Sequence, residues 1–103
     1  MKRFKVVVQN FAIQDVKEAC KWYNDQQPGL AKRFMEDMKQ TLKSIEMNPY
    51  SYAVRYQNSR LANFAVFPYA AHFMIDDLLG KVYVIACLHT KRHPNSTQDR
   101  LNK

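Results

Sequence analysis

Beyond a short N-terminal run at residues 4–9, apolar residues change their spacing once along this chain, at Asn48-Pro49, and that change bounds the possible folds. Before it, they recur at intervals of three and four. Ala12, Val16, Ala19, Cys20 and Tyr23 form one stripe, and Leu30, Phe34, Met38, Leu42 and Ile45 form another. Each stripe predicts a helix with one buried face, over residues 12–26 and about 30–46. Gln26-Gln27-Pro28-Gly29 breaks the two apart, and Asn48-Pro49 ends the second, because the residue before a proline avoids the helical region. Asn10 is a candidate cap for the first helix, and Asp15 sits where a carboxylate suits the helix dipole. Met35 is read with the buried stripe of the second helix. Two such helices joined by a short link pack as an antiparallel hairpin.

After Pro49 the pattern is that of strands. Val82-Tyr83-Val84-Ile85-Ala86-Cys87-Leu88 is an unbroken apolar run, as expected of a strand buried on both faces. Residues 61–67 and 70–76 read as further strands, with a weaker candidate at 52–56 and a turn at 77–80. Phe4 to Gln9 is short and β-branched, and reads as a first strand. The order of strand, two helices, then three or four strands predicts an α+β fold. In it an antiparallel helical hairpin covers one face of a mainly antiparallel sheet of four to five strands. The other face is left to tails, partners or substrate.

The chain's 103 residues fit a single domain spanning 1–103, with a flexible or short helical tail from about residue 95. Sixteen Lys and Arg against nine Asp and Glu give a formal charge of +7. That field favours anionic partners such as nucleic acid or an acidic protein segment. On α-helical spacing, Lys32, Arg33, Lys39 and Lys43 fall on the outer side of the second helix. The two cysteines, Cys20 and Cys87, lie inside apolar patterns, as expected of reduced thiols in the cytoplasm. No apolar stretch is long enough for a membrane span, and the basic N-terminus lacks the apolar run of a secretory signal.

Specific residues then carry a resemblance. Trp22-Tyr23-Asn24, Gln27-Pro28-Gly29-Leu30, Phe34, Ile45, Asn48-Pro49, Arg60, Phe67-Pro68-Tyr69, His89, Lys91-Arg92 and Pro94 together resemble the RelE/ParE toxin superfamily over nearly all of residues 6–94. The Phe-Pro-Tyr and His-x-x-Arg pieces are the most specific, and the former is closer to the ParE-like, plasmid-stabilisation branch. The resemblance implies the toxin of a type II toxin–antitoxin pair, neutralised by a small antitoxin with an acidic amphipathic segment. ParE-like members poison DNA gyrase by contact, whereas RelE-like members cut mRNA on the ribosome. A homodimer or a toxin–antitoxin heterotetramer is compatible with either. A third reading is a solitary, inactive toxin fold that serves as a binding module.

Metal-independent RNA cleavage needs a proton-transfer group and a cation beside the phosphate. His89 is the candidate acid or base, with Arg60 and Arg92 as phosphate clamps. Tyr69, Arg60, Lys91 and Arg92 are the candidate target-binding residues. That site requires Arg60, His89 and Arg92 to meet at one margin of the sheet. RelE-like nucleases also resemble one another in an inward arginine on the strand where this chain has Pro68-Tyr69-Ala70-Ala71. No Arg or Lys lies between Arg60 and Lys81, which favours the gyrase reading. Cys87, His89 and His93 have spacing suggestive of metal ligands, but Pro94 spoils a helical pairing, so neither metal nor cofactor is expected.

Overall fold

A computed structural model describes residues 3–91. The elements run β1 (Lys5–Val8), α1 (Asn10–Gln26), α2 (Leu30–Met47), a 3-10 turn (Pro49–Ser51), β2 (Val54–Tyr56), β3 (Ser59–Asn63), β4 (Tyr69–Asp76) and β5 (Lys81–His89). They form the expected α+β layout. The five strands lie in the order β1-β5-β4-β3-β2, with β1 parallel to β5 and all other neighbours antiparallel. The apolar run is an interior strand, as its composition requires. The expected tail from about residue 95 lies outside the described residues, as does Arg92.

The helical hairpin packs on one sheet face around a single core. Phe34, Ile45, Phe73, Val82 and Val84 are fully buried, and Ala12, Val16, Ala19 and Met38 complete the helix side. The link between the helices turns at Gly29, whose φ of 93° lies in the left-handed region. A Cβ there would meet nothing within 4 Å, so glycine is favoured by the backbone alone. Asn24 Oδ1 accepts the Ala31 N–H at 3.2 Å and holds the two helices together across that link.

Several local expectations are corrected. The first helix begins at Asn10, and its capping position is Gln9, with no side-chain bond to the exposed N–H groups. Met35 is exposed, because α2 turns its Phe34, Met38 and Ile45 row inward and Met35 stands beside that row. The strand expected at 61–67 ends at Asn63. Residues 64–68 instead cross the edge of α2, where Asp37 holds them. Asp15 serves the sheet instead of the helix terminus.

β5 contains a bulge. Phe73 pairs with Val84 and His72 with Ala86, so Ile85 is the extra residue of the ladder. The extra residue shifts the alternation of sides. Val82 and Val84 face the helices before it, and Cys87 faces them after it, as does His89, two residues on. Ile85, Ala86 and Leu88 form a second cluster with Met74 on the far face. The centre of that face is buried too: Ala70, His72, Ile85, Ala86 and Leu88 all lie below a tenth exposure.

Candidate functional site

A cleft of about 520 Å³ opens between α1 and the adjoining ends of β4 and β5. Its walls include Asp15, Glu18 and Trp22 from α1, and Pro68, Tyr69 and His89 from the sheet. Helical periodicity puts Asp15, Glu18, Ala19 and Trp22 on one stripe. The bulge at Ile85 puts Cys87 and His89 on the same side of the sheet, facing that stripe. Cross-strand pairing then places Tyr69 opposite His89, with ring centroids 5.4 Å apart at 69°. His89 Nδ1 accepts the Lys91 backbone N–H at 3.1 Å, which leaves Nε2 as the ring's remaining polar atom.

Aromatic contacts run from the cleft into the core. Trp22 stands edge-on to Tyr23 at 5.1 Å, and Tyr23 meets Phe67 at 4.9 Å and stacks on Phe34 at 5.6 Å. Tyr69 packs against Phe34 at 4.9 Å. Tyr69 is thus both a core residue and a cleft residue. Burial raises the Tyr23 hydroxyl above the usual phenol range. The quoted Trp-Tyr-Asn segment divides its labour accordingly: Trp22 to the cleft, Tyr23 to the core, Asn24 to the helix link.

Two buried carboxylates shape the cleft, and sequence reasoning missed the role of both. Asp15 Oδ2 accepts the Cys87 N–H at 3.0 Å. β1 ends where Val8 pairs with Val84, so β5 has no strand neighbour on that side beyond Val84. The side chain of Asp15 replaces the missing ladder partner. Asp37 on α2 accepts three consecutive N–H groups, from Ala65 at 3.1 Å, Val66 at 2.9 Å and Phe67 at 2.7 Å. That clamp delivers Pro68 and Tyr69 to the cleft. A polar residue inside an apolar helical stripe was the available signal: Asp15 precedes Val16, and Asp37 precedes Met38.

The cysteine on the cleft floor is chemically quiet. Burial, with smaller contributions from the Asp15 carboxylate and Cys20, pushes the Cys87 thiol up to about 12. Cys20 is raised by burial as well. Among the described residues no group of His, Cys, Asp and Glu side chains is arranged to hold a metal ion.

The residues singled out for RNA cleavage do not gather. His89 and Tyr69 meet in the cleft, and Lys91 follows at its rim. Arg60 pairs with Phe73 on β4, four residues from Tyr69, and it lies two strands from β5. At the usual rise and strand spacing this puts its backbone about 16 Å from that of His89. Its guanidinium is engaged locally, donating from Nη1 to the Tyr52 carbonyl and lying 5.2 Å over the Tyr50 ring. Tyr50 in turn donates to Asp77, and that bond chiefly raises its hydroxyl above the ordinary range. Arg92 lies outside the described residues. The outer basic row of α2, Lys32, Arg33, Lys39 and Lys43, is exposed as expected. No described helix is long and apolar enough to cross a membrane.

Neither any protein-family model nor any curated protein sequence matches the chain. Solved structures do. One chain of the chromosomal ParDE TA system from P. aeruginosa superposes with a TM-score of 0.73 at 14% identity, covering 86% of this chain and 98% of that one. A chain of the toxin-antitoxin complex RelBE2 from Mycobacterium tuberculosis gives 0.58 at 15% identity, covering 84% of this chain and 98% of that one. At such identities the likeness speaks for architecture, and with its β1-α1-α2 start, five-stranded sheet and strand order the chain has the RelE/ParE-like fold.

Proposed function

We propose that this protein is the toxin of a type II toxin–antitoxin pair and acts in the ParE-like manner, by protein contact with DNA gyrase. The observation that carries the choice is electrostatic. Among the described residues no Arg or Lys side chain lines the His89 cleft, and Arg60 is held elsewhere by Tyr52 and Tyr50. With Lys91 only at the rim and no described cation inside the cleft, the His89 imidazole lacks the group that would steady the crowded phosphate of a cleaving RNA. A cognate antitoxin would fold an acidic amphipathic segment onto this +7 surface, with an encounter rate that falls as salt rises.

The test is a supercoiling reaction with purified gyrase. Added protein is expected to reduce supercoiling and to trap cleaved DNA, and the antitoxin to restore activity. Undiminished supercoiling at large molar excess, together with new mRNA ends in cells expressing the protein, would reject the reading.

A further inference from the structure

The cleft between α1 and β5 is an exception to the charge of the molecule around it. The chain carries +7, yet among the described residues the ionisable side chains lining the cleft include two carboxylates, Asp15 and Glu18, and no lysine or arginine. Asp15 is occupied by the Cys87 N–H. Glu18 is exposed and forms no ion pair with any described residue, although Lys17 and Lys21 share its helix. One turn along the same stripe stands Trp22, a large ring left 57% exposed. Pro68, Tyr69 and His89 close the opposite wall.

An exposed ring beside a carboxylate that pairs with no described cation suits one cation in particular. Guanidinium is planar and weakly hydrated, stacks on rings and offers paired donors to a carboxylate, whereas ammonium holds its water more strongly. About 520 Å³ accommodates a long side chain but not a whole helix. Negative charge at this place on a chain of net positive charge would favour a positive group of a partner segment.

We propose that the cleft receives an arginine side chain presented by a partner protein, stacked on Trp22 and paired with Glu18. The partner's identity as the antitoxin rests on the function proposed above; the site itself rests on the cleft.

Trp22 is the sole tryptophan, so its emission reports occupancy directly. The purified full chain is titrated with acetyl-Gly-Arg-Gly-amide, with the same peptide carrying citrulline, and with agmatine. The arginine peptide is expected to give a saturable change and the citrulline peptide none. Glu18→Gln, an exposed substitution that leaves the core untouched, should weaken the arginine peptide roughly threefold or more. Its thermal melt confirms folding. Equal responses to arginine and citrulline, or no saturable response, would overturn the site. Tighter binding of agmatine than of the peptide would overturn the protein partner in favour of a small cationic ligand. None of these readouts involves gyrase or toxicity, so failure of the function proposed above would leave them standing.

Discussion

Asp37 Oδ2 accepts the Phe67 N–H at 2.7 Å, across 30 positions of sequence, and so fixes where the Pro68-Tyr69 corner enters the sheet. Two further N–H groups, of Ala65 and Val66, end on the same carboxylate, which is only 6% exposed. Asp37→Ala would strand three donors beside a cavity. The expected loss is about 3 kcal/mol, with a fall in Tm on the order of 15 °C. Asp37→Asn keeps an acceptor and should lose clearly less. Thermal melts followed by circular dichroism check both, and equal losses would show that the clamp is not the cause.

The thiol of Cys87 gives a signed pH prediction. Its folded value, about 12, lies above the ordinary thiol value of 9.0. The folded state therefore retains this proton more strongly than the unfolded chain. The contribution to stability is complete below about pH 9 and is lost as pH rises towards 12. Below that window, Cys87 should react with a thiol reagent at pH 8 only through unfolding, far more slowly than in urea. Mass spectrometry of time points resolves it from Cys20. Rapid native labelling of Cys87 would contradict the burial that raises it.

Arg60 and His89 should behave as independent residues. Arg60→Ala removes the bond to the Tyr52 carbonyl and the contact with the Tyr50 ring, and is expected to cost about 1 kcal/mol. His89→Ala changes the cleft instead. In urea titrations the double variant should equal the sum of the singles within about 0.5 kcal/mol. A larger coupling would mean that the two side chains share a site after all.

Ser59 is fully buried at the start of β3, and its hydroxyl has no hydrogen-bond partner among the described residues. Replacing it by alanine removes an unsatisfied polar group at little loss of volume. Ser59→Ala is expected to leave stability unchanged or raise it by about 1 kcal/mol, as measured by the urea midpoint. A drop of that size would mean that the hydroxyl is bonded in solution.

The layers were legible before any coordinates because both depend on spacing. Phe34, Met38 and Ile45 could face inward together only on a helix, and residues 82–88 were too apolar for any place but a sheet interior. The site was less legible for the same reason. A run apolar on both faces gives no phase, so nothing in Val84-Ile85-Ala86 announces which residue is extra, and His89 could not be assigned a side. Arg60 and His89 were grouped as strand-end residues, but the ends in question are opposite ones: Arg60 stands near the β2–β3 turn and His89 at the Tyr69 end of β4. Register, which depends on where each hairpin turns, separates them. The tasks of Asp15 and Asp37 depend on backbone donors 72 and 28–30 residues away, a distance at which local pattern carries no information.

The bulge at Ile85 sets which residues of the outer part of β5 face the cleft. Were the bulge straightened with all its residues kept, every later side chain would slip one place along β4 and change sides, so that Leu88 would turn towards α1 and His89 would leave Tyr69 for the opposite surface; loss of Ile85 itself would instead restore a regular ladder with the same pairs. One residue can therefore be lost at the bulge with the cleft intact, while a residue inserted after it would move His89 off its Tyr69 partner.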